Sequence, residues 1–71
     1  MNITVNVIKA FSDGNQVSVT LSHGSTAGAA GSRVGAPSGS VYRVNGMQAN
    51  TETPLGDGDI LTVSLGKVDA G

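Results

Sequence analysis

The 71-residue chain has no cysteine and no tryptophan, one phenylalanine, one tyrosine and one histidine, and only four basic and five acidic side chains. Each scarcity closes a class of function. Without cysteine there is no disulfide, no thiolate metal site and no thiol nucleophile. With so few aromatics the core must be aliphatic, in a domain whose folding buries only about 60% of the surface its unfolded chain exposes. Lys9, Arg33, Arg43 and Lys67 are scattered and the net charge is −1. Nucleic-acid affinity comes largely from phosphate neutralisation by a basic face, so no nucleic-acid partner is expected. No apolar run approaches the roughly 20 residues of a membrane-spanning helix, and no membrane partner is expected either. The opening MNITVNVIKAF lacks a basic region, a long apolar region and a cleavage site, which makes a cytoplasmic location the default. His23 stands alone, with no second ligand and no orienting acid, so neither a metal site nor a cofactor is expected.

What is abundant is glycine, eleven in all, together with alternating apolar residues. Ile3, Val5 and Val7 alternate with Thr4 and Asn6, and Val17, Val19 and Leu21 with Ser18, Thr20 and Ser22. Two such period-two runs around Asp13-Gly14 predict an antiparallel hairpin. In 23–40 the composition turns to Gly, Ser and Ala. Ser25 or Thr26 is placed as an N-cap, and Ala27, Ala30, Gly31 and Val34 fall on one helical face. Gly35 stands where a C-terminal cap belongs, and Pro37 soon forbids continuation. Gly28 and Gly31 each cost about 1 kcal/mol relative to alanine within such a helix, so it forms only if packed on a sheet; the alternative is an ordered loop.

The most densely specified stretch is Val41 to Leu65. Val41–Val44 reads as a strand with Tyr42 and Val44 inward, and Asn45-Gly46 supplies the two positive-φ residues of a type I′ turn. Pairing continues through Met47 to Ala49, 50–54 is polar, and Leu55 plugs the core. Asp57-Gly58-Asp59 predicts a turn in which a carboxylate bonds nearby amides. Leu61, Val63 and Leu65 are expected on the inner face of a last strand. The structural turns are thus Gly14, Asn45, Gly46, Asp57, Gly58 and Asp59. The order strand, strand, helix, strand, short strand, strand predicts an α+β architecture, a four- to five-stranded mixed sheet with one short helix across it. The domain is expected over 1–66, with a flexible tail over 67–71.

That order and its punctuation resemble the ubiquitin-like β-grasp superfamily, and within it the small sulfur carriers of thiamine thiazole synthesis and of molybdopterin synthase. Gly24-Ser25-Thr26 before the helix, Val44-Asn45-Gly46 at the hairpin and Leu55-Gly56-Asp57-Gly58-Asp59-Ile60 before the last strand carry the likeness. It spans nearly the whole chain, its weight lying in order and spacing. The resemblance implies a non-enzymatic carrier or modifier whose terminal carboxylate, at Gly71, is activated by an ATP-dependent adenylating enzyme. The carriers end in Gly-Gly, whereas this chain ends Asp69-Ala70-Gly71. They also place Val and Leu where this helix has Ala27, Ala30 and Gly31. The alternative is a β-grasp interaction or assembly module, an adaptor or phage-encoded factor, with an inert terminus.

Ile8, Phe11, Val41 and Ile60 fall on the face the alternation assigns to solvent, and several hydrophobes on one sheet face make a docking surface for a protein partner. The glycines of 24–31 lack the Lys-Ser/Thr of a P-loop and the spacing of a dinucleotide fingerprint, which leaves them a packing role.

Overall fold

Alternation builds the first hairpin in a computed structural model that describes residues 1–66. Strands β1 (Asn2–Lys9) and β2 (Gln16–Ser22) pair antiparallel from Asn2↔Ser22 to Ile8↔Gln16. Ile3, Val5, Val7, Val19 and Leu21 are buried, with polar residues between them on the opposite face. In the connecting loop the Asp13 carboxylate accepts the Asn15 N–H at 3.0 Å and its side-chain amide at 2.8 Å. The backbone N–H of Asn15 is the largest cause holding this carboxyl below the usual carboxylate range.

The Gly-rich middle folds as a two-turn helix, α1 (Ala27–Arg33). Thr26 is the N-cap, its hydroxyl accepting from the Ala29 N–H at 3.3 Å. The far end closes as a Schellman motif: Ala36 N–H donates to the Gly31 carbonyl at 2.9 Å and Gly35 N–H to that of Ser32 at 3.3 Å, with Gly35 at φ 78°. Ala27, Ala30 and Gly31 are buried against the sheet.

The second half completes the sheet with β3 (Val41–Val44), β4 (Met47–Ala49) and β5 (Ile60–Ser64). Asn45 and Gly46, at φ 53° and 84°, make the type I′ connection between β3 and β4. The sheet order is β2-β1-β5-β3-β4, with β5 parallel to β1 and antiparallel to β3. The fold is therefore α+β, a five-stranded mixed sheet with one short helix across it. Leu61 and Val63 of β5 are wholly buried beside Val5 and Val7, at the middle of the sheet. Tyr42 and Leu55 close the core.

Two expectations are corrected here. Leu65 is not an inner-face residue: it lies beyond β5 and is 60% exposed. β3 begins at Val41, whose partner is Ser64, so the ladder has no further rung to hold Leu65 in register. Phe11 does not lie on the solvent face but packs against the core. β1 ends at Lys9, and the carbonyl of Lys9 accepts from the N–H groups of Ser12 and Gly14. The turn re-aims Phe11, so period-two alternation no longer decides its side. The expectations for residues 67–71, Ala70 and Gly71 among them, lie outside the described residues.

Candidate functional site: the outer face of the sheet

The register places the outward residues of the central strands in rows. Asn6 pairs with Ile60, Ile8 with Thr62, Thr62 with Arg43, and Ser64 with Val41. Ile60, Ile8 and Val41 thus occupy three successive rows on three strands, around Thr62, with Arg43 beside it. Ile60 is 42% and Val41 36% exposed, while Ile8 is half-buried. Among the described residues the result is an apolar and hydroxyl-bearing surface with one cation, Arg43, and no nucleophile–base pair. Phe11, on the other side, takes no part in it.

The turns at Asn45-Gly46 and Asp57-Gly58-Asp59 converge at one end of the sheet. Asp59 accepts from the Gly56 N–H through Oδ2 at 2.7 Å and from the Asn45 side-chain amide through Oδ1 at 3.1 Å. The Asn45 carbonyl oxygen Oδ1 accepts the Ile60 N–H at 3.0 Å, and the Asn45 backbone N–H donates to the Ile60 carbonyl at 2.7 Å. Asp57 works at long range instead of within its own turn. Its Oδ1 accepts the Thr4 N–H at 2.8 Å, and Gly58, at φ 86°, donates to the Thr4 carbonyl at 2.8 Å. The Asp-Gly-Asp turn thereby extends the line of bonds along β1 ahead of β5. Gly14, at φ 77°, turns the chain at the opposite end of β1.

The start of α1 is closed to a ligand. Ala27 N–H donates to the Thr53 carbonyl at 2.8 Å, Gly28 N–H to that of Thr51 at 2.9 Å, and Leu55 N–H returns a bond to the Ser25 carbonyl at 2.9 Å. The polar crossing over 50–54 is thus a clamp on the helix. His23 is exposed, and among the described residues no three His, Asp or Glu side chains gather as metal ligands would.

Besides Leu65, sequence reasoning missed the exposure of Met47. Met47 pairs with Val44 and so lies on the helix side of the sheet, yet it is 74% exposed. Seven helical residues span about 10 Å, too short to cover an outermost strand. The comparison of helix length with sheet width was the available signal.

A five-stranded sheet in the order β2-β1-β5-β3-β4 crossed by one helix defines the ubiquitin-like β-grasp fold. No family model and no curated protein sequence matches the chain. Among solved structures it is similar to the ubiquitin of Caldiarchaeum subterraneum, with a TM-score of 0.71, 16% sequence identity and coverage of 100% of both chains. What two chains share at that identity is the fold.

Proposed function

We propose that the chain is a non-enzymatic, ubiquitin-like carrier or modifier that acts through Gly71 and docks its partners on the outer face of the sheet. The observation that supports this reading best is the end-to-end correspondence with a ubiquitin, 100% of both chains. In the finer form, a sulfur carrier, a partner enzyme transfers AMP from ATP to the Gly71 carboxylate and releases pyrophosphate. A carboxylate is a poor electrophile, and the acyl-adenylate is a good one. A sulfur nucleophile then displaces AMP to leave a thiocarboxylate, whereas an amine would leave an amide conjugate. Ala70 adds one methyl next to the reacting residue and narrows the backbone angles open to it. Ile8, Val41 and Ile60 form the proposed contact surface.

Incubation with ATP, a sulfur donor and the cognate adenylating enzyme, followed by intact-mass measurement, tests the reading. The expected product carries sulfur in place of one oxygen, and deletion of Gly71 abolishes it. A chain that remains unmodified, and whose cellular role survives the deletion, is not a carrier.

The second reading, a β-grasp interaction or assembly module with an inert terminus, is favoured by Ala70 and by the exposed Ile60 and Val41. An Ile60→Lys variant paired with the Gly71 deletion separates the two. Loss of partner binding in the first alone supports the module.

A further inference from the structure

We infer that Asn45-Gly46 is a site of self-modification by deamidation, held shut in the folded chain by the bonds between the Asn45 side chain and the start of β5. The chain has five asparagines, and Asn45 alone precedes a glycine. The reaction needs no enzyme. The Gly46 backbone nitrogen loses its proton and bonds to Cγ of Asn45, and ammonia leaves as the five-membered succinimide closes. Water then opens either ring carbonyl, giving aspartate or the isoaspartate in which the main chain runs through the side-chain carboxyl. Glycine in second place favours closure, because it has no side chain to hinder its nitrogen and leaves the backbone free to rotate. Asn2, Asn6, Asn15 and Asn50 precede Ile, Val, Gln and Thr, whose side chains crowd the attacking nitrogen.

The fold opposes that reaction in two ways. Closure requires the Gly46 nitrogen to swing toward Cγ about the Asn45 Cα–C bond. The type I′ turn, with Asn45 at φ 53° and Gly46 at 84°, fixes that bond in another setting. Both polar atoms of the side chain are also engaged. Asn45 Oδ1 accepts the Ile60 N–H at 3.0 Å, and Nδ2 donates to Asp59 Oδ1 at 3.1 Å. Burial contributes nothing to the protection. Asn45 and Gly46 are both exposed, and a β-carbon added at Gly46 would meet nothing within 4 Å. Water and base therefore reach the pair as soon as the turn opens, and the rate in the folded chain follows the population of that opening.

The product does not re-form the link. Aspartate at 45 still offers an oxygen to the Ile60 N–H, but it sets a carboxylate where the amide donor stood, against the Asp59 carboxylate, and like charges so close repel. Asp57, the other acid of the Asp-Gly-Asp turn, is committed to the Thr4 N–H. Isoaspartate adds a main-chain atom to a two-residue turn and breaks its register. Both the N–H and the carbonyl of Ile60 bond to Asn45. Modification therefore loosens the start of β5 at the exposed Ile60, on the outer face of the sheet.

The test incubates the whole chain at mildly alkaline pH, folded and in guanidinium chloride, and follows intact mass and peptide maps for replacement of NH2 by OH at Asn45. The reaction is expected to be slower in the folded chain by about tenfold or more. Asp59→Ala is expected to raise the folded-state rate about fivefold and to leave the rate in denaturant unchanged. Val19→Ala weakens the core two strands from β5 and is expected to change neither rate, because the turn opens locally. Asn45→Asp, which installs the product, is expected to lower the denaturation midpoint. Adding Asp59→Asn to it is expected to restore most of the loss, since donor and acceptor then change places across the same pair. Equal rates folded and unfolded, or an acceleration by Val19→Ala as large as that by Asp59→Ala, would overturn the proposal. So would a loss in Asn45→Asp that Asp59→Asn does not repair.

Discussion

A β-carbon added at Gly28 would stand 2.8 Å from the Thr51 carbonyl oxygen, and one at Gly31 would stand 2.7 Å from the Tyr42 hydroxyl and 2.9 Å from its ring Cε1. At Gly28 the helix lies against the main chain of Thr51 and at Gly31 against the ring of Tyr42, so neither position has room for a side chain. Alanine would gain about 1 kcal/mol of helix propensity at either site, but overpacking costs about 1–3 kcal/mol. The obstacle at Gly28 is main chain and cannot swing aside, and Tyr42 is held in the core at 8% exposure. Gly28→Ala and Gly31→Ala are therefore expected to lower the urea midpoint, while Ser32→Ala, on the exposed side, is expected to leave it unchanged or raise it. A midpoint raised by Gly28→Ala would refute the packing argument. The cost of these glycines was legible in the sequence. Their reason was not, because Thr51 and Tyr42 are brought to them only by the folded chain.

Among the elements, the link between the β3–β4 turn and β5 carries the most specific chemistry. Asn45 has two separable duties, a left-handed backbone at φ 53° and a side chain bonded to Ile60 and Asp59. Asn45→Gly keeps the first and removes the second, whereas Asn45→Ala removes both. The alanine variant is expected to be less stable than the glycine variant by about 1 kcal/mol in equilibrium denaturation, the difference being the backbone strain. Equal losses would mean that only the side-chain bonds matter. Asn-Gly announced its turn in the sequence, since positive φ is a local need. Its bonds to Ile60 and Asp59 span 15 and 14 positions and carry no local signature. The Asp-Gly-Asp turn divides in the same way: the expected local bond is there, from the Gly56 N–H to the Asp59 carboxylate, while the Asp57 carboxylate holds Thr4, 53 positions away.

Over the molecule as a whole, β1, β5 and β3 are paired on both sides, and β1 and β5 are the strands that bury Val5, Val7, Leu61 and Val63 completely. β4 is a three-residue edge strand with Met47 exposed. Local opening scales with such differences. Hydrogen exchange is expected to be slowest at the amides of Val5, Val7, Leu61 and Val63 and fastest, among the strands, in β4. Slow exchange spread evenly to β4 would mean that the sheet opens only as one unit.

Alternation and the Asn-Gly pair determined the strands and the hairpin from the sequence alone, and Gly35 marked where a helix would stop, because each answers to the geometry of a few adjacent residues. Only the tertiary structure decided that Ala27–Arg33 is a helix and not a loop, that Phe11 turns inward and that Leu65 and Met47 stay uncovered. Those outcomes depend on where a ladder runs out of partners and how far a seven-residue helix reaches. Both are distances between parts of the chain remote in sequence, which no local pattern encodes.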